Sequence, residues 1–158
     1  MPTAYKIRPA NPEDFDLLVE DYLSLWDSYD VPREHHRSDA GHIIRSFLAE
    51  AAAQFELGAF ICEYKGIPIA SACCQVRRSP YPEILKEPYR KIGYVWSVYI
   101  SADHQKQGLG SALMSHCLDH LRHIGCTSVV LHSSDAGQRL YQKLGFTGTD
   151  ELGISWDD

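Results

Sequence analysis

The sequence has no apolar run that approaches the length of a membrane span. Its first residues, Met1 to Arg8, are polar and carry no secretory leader pattern. No CxxC pair occurs among its five cysteines, Cys62, Cys73, Cys74, Cys117 and Cys126, and the number is odd. That usage excludes a disulfide framework and fits free, buried thiols in a reducing compartment. Basic residues are scarce: 15 Lys and Arg against 21 Asp and Glu leave a net charge of −6. Sequence-independent binding to nucleic acid runs on Lys and Arg, so this balance argues against a DNA or RNA partner. It would not repel a cationic amine. Internal repeats, low-complexity runs and linkers are absent. The expectation is a soluble, cytoplasmic protein with no membrane partner.

What is present is an ordinary globular mixture. The 158 residues, 44% hydrophobic and 23% charged, suit one domain over residues 1–158 with a real core. Tyr5 to Arg8 reads as a first strand. Asn11-Pro12-Glu13-Asp14 then starts a helix, with a capping side chain, an early proline and acids in the first turn. Phe15, Leu18, Tyr22 and Leu25 give it one apolar face, and Val31-Pro32 breaks it. A second helix is predicted over Asp39 to Ala53. Ala59 to Tyr64 and Ile67 to Val76 form a hairpin about Lys65-Gly66. Three prolines make Ser79 to Pro88 a surface loop. Gly93 to Ile100 is a strand, residues 108–124 a helix, Ser128 to His132 a buried strand and Asp135 to Leu144 a short helix. Phe146 begins a last extended stretch. The order β-α-α-β-β-β-α-β-α-β is α/β with a mixed sheet.

Chemistry concentrates where the strand ending at Ile100 runs through a loop into a helix with two glycines in its first turn. The first N–H groups of a helix lack partners within it, and the helix dipole adds positive charge there. A phosphate satisfies both. Gly108 and Gly110 are expected to let the backbone approach such an anion, and Lys106 adds a formal charge. Taken alone, this is an anion site of modest specificity, and a Gly-containing loop before a helix is often only a turn.

Two segments extend that reading. Gln105-Lys106-Gln107-Gly108-Leu109-Gly110 resembles the cofactor-loop pattern of the GNAT superfamily of N-acetyltransferases: Arg or Gln, two residues, Gly, one residue, then Gly or Ala. Leu140-Tyr141-Gln142-Lys143-Leu144-Gly145-Phe146 resembles that superfamily's second signature, a helix ending in Leu-Tyr, three residues, Gly-Phe. The resemblance is specific over residues 93–147 and rests on element order before that.

The resemblance implies a GNAT fold: a mixed, mostly antiparallel central sheet flanked by helices and splayed between the fourth and fifth strands. It implies acetyl-CoA as donor, a primary amine of a small molecule or of a peptide or protein as acceptor, and CoA as product. Main-chain N–H groups of Gln105, Lys106, Gln107, Gly108, Leu109, Gly110 and Ser111 would cradle the pyrophosphate. The strand end Val98, Tyr99 and Ile100 would pair with the pantetheine arm and polarise the thioester carbonyl. Ser134 falls where many relatives have Asn against the cofactor, and its reach is shorter. Tyr141 would protonate the leaving thiolate. Many relatives use a Glu on the fourth strand as base, but that strand here has no carboxylate. His132, of a residue type that titrates near neutrality, is one substitute; Glu63, Glu151 and Asp135 are others. Family sheets often pair across a dimer, so a homodimer is also expected. The alternative is a non-catalytic acyl-CoA sensor of the same fold, which would keep the loop but need no Tyr141.

Other features have plainer readings. His116 and His120 lie four apart, a spacing that can chelate zinc, but no third ligand is evident and no metal site is expected. Trp26, Tyr29, Tyr81 and Trp96 are candidates for an acceptor pocket, and equally for ordinary packing. Asp27, Asp30, Glu83 and Glu87 lie on two loops where acids would attract a cationic amine.

Overall fold

The computed structural model describes residues 4–156. Five strands and four helices follow one another as β1 (Tyr5–Pro9), α1 (Phe15–Ser28), α2 (Ala40–Gln54), β2 (Gly58–Tyr64), β3 (Ile67–Val76), β4 (Ile92–Ile100), α3 (Leu109–His123), β5 (Ser128–Leu131) and α4 (Gln138–Lys143). Short 3-10 turns lead into α1, α2 and α3. The start of α1 carries the expected cap. The Asn11 side chain accepts from the Glu13 N–H at 2.9 Å, and the Asp14 carboxylate accepts from the Asn11 N–H at 2.9 Å. Asp14 also binds Arg8, which reaches Glu63 at 2.7 Å and so ties β1, β2 and α1 together.

The sheet runs in chain order, β1-β2-β3-β4-β5. The first four strands are antiparallel, and β5 lies parallel to β4. Strand alternation divides the core in two. Ala70, Ala72, Cys74 and Val95 face α3 and meet Leu109, Leu113, Met114, Cys117 and Leu121. Cys73, Ala59 and Ile61 face the other way, against Leu18 and Val19 of α1 and Ile44 and Leu48 of α2. Four of the five free cysteines are buried in these layers, and Cys126 is half-buried. Among the described residues, no helix is long and apolar enough to cross a membrane.

Two irregularities shape β4. Its pairing with β3 slips between Ser71↔Tyr99 and Cys73↔Trp96, so β4 carries one extra residue there. Ser97, buried and left-handed at φ 55°, marks this bulge. The bulge re-phases the strand: Val95 faces α3 before it, and Val98 and Ile100 face α3 after it. The ladder to β5 stops early as well. It runs from Ile92↔Ser128 to Val95↔Leu131, and β4 continues from Trp96 to Ile100 with no β5 partner. This is the splay between the fourth and fifth strands.

One expected element does not form. Residues 146–156 join no ladder, and β5 is the outer strand of the sheet. Leu152, Ile154 and Trp156 do alternate as a strand would, but each stays exposed, and Gly148 and Gly153 interrupt the run. A cleft of about 230 Å³ lies along this flank, between Val129 to Leu131, α4 and residues 146–149.

Candidate active site

The loop from Gln105 to Gly108 is held from several sides. Gln105 donates its side-chain amide to the Ile100 carbonyl at 3.3 Å, so it closes the loop on the end of β4. His104 is anchored to the Tyr5 hydroxyl at 2.8 Å. Lys106 and Gly108 both take left-handed conformations, at φ 62° and 78°. Alternation of this kind curls successive main-chain N–H groups into an anion-binding concavity. Gly108 is the N-cap of α3 and no side chain caps the helix, so its first amides are left for another acceptor. Gln105 to Gly108 are exposed, while Leu109 is fully buried and pins the loop to the core. Burial of a leucine contributes about 1.5–3 kcal/mol.

The two glycines do different work. A Cβ at Gly108 would meet nothing within 4 Å, so the glycine answers to its positive φ. A Cβ at Gly110 would lie 2.8 Å from Leu140 Cδ2. Gly110 is buried, and it is there so that α3 and α4 can pack closely. The expected close approach to an anion therefore falls to Gly108, and Gly110 instead couples the loop's helix to the helix that carries Tyr141.

Tyr141 is half-buried on α4. It packs with the α3-side cluster and edge-on against Phe146, ring centres 5.9 Å apart. Burial raises its phenol above the ordinary value, and the hydroxyl of Tyr29, at the end of α1, raises it further. Ser134 is half-buried nearby, and its hydroxyl accepts from the Gly137 N–H at 3.1 Å, which turns the chain into α4.

Of the base candidates, Glu63 is bound by Arg8 between β1 and β2, and Asp135 is exposed in the turn before α4. His132 and Glu151 come together, with Nε2 3.6 Å from the carboxylate. A third member, with no signal in the sequence, joins them: the Tyr94 hydroxyl of β4 is hydrogen-bonded to His132 Nδ1. Burial raises the Tyr94 phenol, and Glu151 adds to the effect. His132 itself is three-quarters exposed, at 74%.

The aromatic candidates divide. Phe47, Trp96, Tyr22, Trp26 and Tyr29 form an edge-to-face ladder with ring centres 5.0, 5.6, 6.4 and 5.6 Å apart, running from β4 to the end of α1. Tyr81 stands apart, its hydroxyl accepting from Arg77 and Arg90. The loop acids are mostly neutralised: Asp27 binds Arg33, Glu83 binds Arg77 and Glu87 lies 3.6 Å from Lys91. His116 and His120 are each engaged by a main-chain carbonyl, of Ala112 and Glu56.

A second residue that the sequence did not single out is Asp21, in the middle of α1. Its carboxylate accepts from the Ser71 hydroxyl at 2.6 Å. Burial raises it above the ordinary carboxylate value, the Ser71 bond draws it partly back, and Glu20 raises it a little. In the sequence it is one polar position on an amphipathic helix.

A sheet that parts beside a bulged strand, with an uncapped helix start close by, is an arrangement suited to an extended, phosphate-bearing ligand. The comparisons with known proteins agree. The sequence profile of the acetyltransferase (GNAT) family matches residues 15–146. A glucosamine 6-phosphate N-acetyltransferase of Trypanosoma brucei brucei is 35% identical over 57 residues, 36% of this chain and 39% of that protein. The chain spans 39% and 60% of the lengths of the curated relatives it matches. The fold is shared with a GCN5-related N-acetyltransferase of Ralstonia eutropha, at TM-score 0.81 and 23% identity over 96% of this chain and 98% of that one. It is shared with a predicted acetyltransferase of Clostridium acetobutylicum solved with acetyl-CoA, at TM-score 0.79 and 21% identity over 96% of each chain. The chain belongs to the acetyltransferase (GNAT) family.

Proposed function

We propose that this protein moves the acetyl group of acetyl-CoA directly to a primary amine of a small molecule or peptide. The observation that carries the reading is a half-buried phenol, Tyr141, on the short helix α4, whose neighbour Leu140 packs on Gly110 in the uncapped first turn of α3.

The residues present fit the donor. The N–H groups of Gln105 to Ser111 would hold its pyrophosphate, and Lys106 would add charge. The unpaired edge of β4 at Val98, Tyr99 and Ile100 would take its pantetheine arm as an added strand, and Ser134 would lie beside it. Acetyl-CoA supplies an activated acyl carbon and a thiol leaving group. On the protein side, the raised phenol of Tyr141 stays protonated through the neutral range and donates to a developing thiolate. Main-chain N–H groups freed by the bulge are suited to a developing oxyanion. His132, joined to Tyr94 inside and Glu151 outside, would carry protons to solvent. A relative named for N-acetylation of glucosamine 6-phosphate supports an amine acceptor.

The second reading, a sensor that binds acyl-CoA without turnover, is favoured by the absence of a carboxylate on β4. Free-thiol release from acetyl-CoA across a panel of primary amines separates the two. Amine-dependent release is expected; CoA binding with no release over the panel would select the sensor. The open outer edge of β5 leaves the sheet able to extend against a second copy, as a homodimer would.

A further inference from the structure

Four carboxylates among the described residues are not exposed: Asp14, Asp21, Glu50 and Glu63. Arg8 neutralises Asp14 and Glu63, and Arg78 neutralises Glu50. Asp21 has no cation. Its partner is the buried Ser71 hydroxyl at 2.6 Å, and no donor among the described residues reaches its second oxygen. A half-buried carboxylate without a cation is costly, and α1 has no structural need of one there.

Its place in the fold gives it a use. Ser71 is the cross-strand partner of Tyr99, beside the bulge at Ser97. Adjacent strands lie about 4.8 Å apart, so Asp21 stands roughly one strand spacing from the part of β4 that the preceding reading assigns to the thioester. It approaches from the α1/α2 face, opposite the α3 helix that would hold the pyrophosphate. Next to it, Tyr22 packs edge-on against Trp96, and the ladder continues through Trp26 and Tyr29 toward Tyr141. Aromatic faces with a single anion among them make a receptor for an ammonium group.

We infer that Asp21 is the carboxylate that receives the acceptor's primary ammonium, beside the edge-to-face pair of Tyr22 and Trp96, and takes its proton directly or through one water. The inference rests on the acetyltransferase reading. One N–H bond of the ammonium breaks, the proton goes to Asp21, and the freed lone pair forms the C–N bond as the C–S bond breaks. The thiolate takes the Tyr141 proton. The second nitrogen proton restores Tyr141 through solvent, and Asp21 returns its own proton to bulk water, so one proton is released per transfer. Apolar walls favour the neutral amine and acid over the ion pair, which is how a carboxylate can deprotonate an ammonium. Few other charges interfere. Glu20 on the same helix and Cys73 of β3 bear on Asp21, and burial holds the Cys73 thiol neutral; β4 and α2 present Trp96 and Phe47.

The test uses the full chain, the fastest acceptor of a primary-amine panel and the variants Asp21→Asn and Ser71→Ala. With Asp21→Asn, kcat/KM for the amine should fall by roughly a hundredfold or more, the size of a lost general base. CoA affinity by calorimetry should stay within about twofold, because the two sites lie on opposite faces. In wild type, kcat/KM should fall as pH drops through the Asp21 value; Ser71→Ala removes a bond that lowers it, so that limb should move to higher pH. Independently of activity, carbon-detected NMR of the free protein should show the Asp21 carboxyl titrating above ordinary aspartates. Unchanged kcat/KM and pH limb in Asp21→Asn, or ordinary titration of Asp21, would overturn the assignment. Absence of turnover with every amine in wild type would instead overturn the acetyltransferase reading, leaving the NMR titration to decide on Asp21.

Discussion

Replacement of Gly108 separates backbone strain from anion repulsion. The residue sits at φ 78°, and a Cβ there meets nothing within 4 Å. Gly108→Ala therefore pays only for the left-handed backbone, about 1–2 kcal/mol, offset by about 0.4–1 kcal/mol through the stiffer unfolded chain. The net loss of about 1 kcal/mol should lower Tm by roughly 2–4 °C for a domain of this size. That cost is common to the free and bound states, so CoA affinity should barely move. Gly108→Glu carries the same backbone cost and has room for its side chain, so it too should fold. It places a carboxylate at the uncapped start of α3. A unit charge about 4 Å from a phosphate costs roughly 1–4 kcal/mol between water-like and surface-like dielectric. Because about 1.4 kcal/mol is tenfold in Kd, CoA affinity should fall about a hundredfold. Calorimetry at low salt measures this, and part of the loss should return near 1 M salt, where screening acts within about 3 Å. Equal CoA affinity in the folded Ala and Glu variants would refute the placement of the pyrophosphate.

Three further outcomes follow from particular contacts. Tyr141→Phe keeps the ring and removes the proton; kcat should fall roughly a hundredfold or more with acetyl-CoA affinity unchanged, and wild-type activity should decline only above the ordinary phenol range, because burial raises this group. Equal turnover would make Tyr141 a packing residue. Glu83→Lys should lower thermal stability by breaking the bond to Arg77, whose buried Nε already lacks a partner, and should leave the amine KM unchanged; a raised amine KM that salt abolishes would restore the steering role for this loop. Arg8 holds the Asp14 carboxyl below the usual carboxylate range, with the Asn11 N–H helping. Such a group stabilises fully above its unfolded value and loses that stabilisation as pH falls through its lower folded value. Arg8→Met should therefore lower stability near neutrality and flatten its decline below about pH 4; an unchanged acid profile would mean that this pair contributes nothing.

Much of the proposed donor half was legible in the sequence, because motif and physics point to the same residues. A strand, a glycine loop and an amphipathic helix locate the amide seat, and Leu-Tyr ahead of Gly-Phe locates Tyr141. The proposed acceptor half was not legible, for reasons that lie in tertiary structure. Asp21 looks like any polar position on α1 until Ser71, 50 residues away, covers it. Tyr94 meets His132 only because β4 and β5 are parallel neighbours. The bulge at Ser97 leaves no local signature, since serine is not a residue that advertises a left-handed turn. A last extended stretch was expected from Phe146, but a strand needs a covered face and Leu152, Ile154 and Trp156 are all exposed. Acids counted along the loop at 79–88 promised a negative field, while Arg77 six residues before Glu83 cancels it.

The most direct test of the donor site is amide chemical-shift mapping of the nitrogen-15-labelled protein titrated with CoA. The largest shifts should fall on Val98 to Ile100 and Gln105 to Ser111, with smaller ones at Ser134 and Tyr141 and none at Asp21. Shifts centred instead on the cleft beside Val129 to Leu131 and residues 146–149, with the loop before α3 silent, would contradict it.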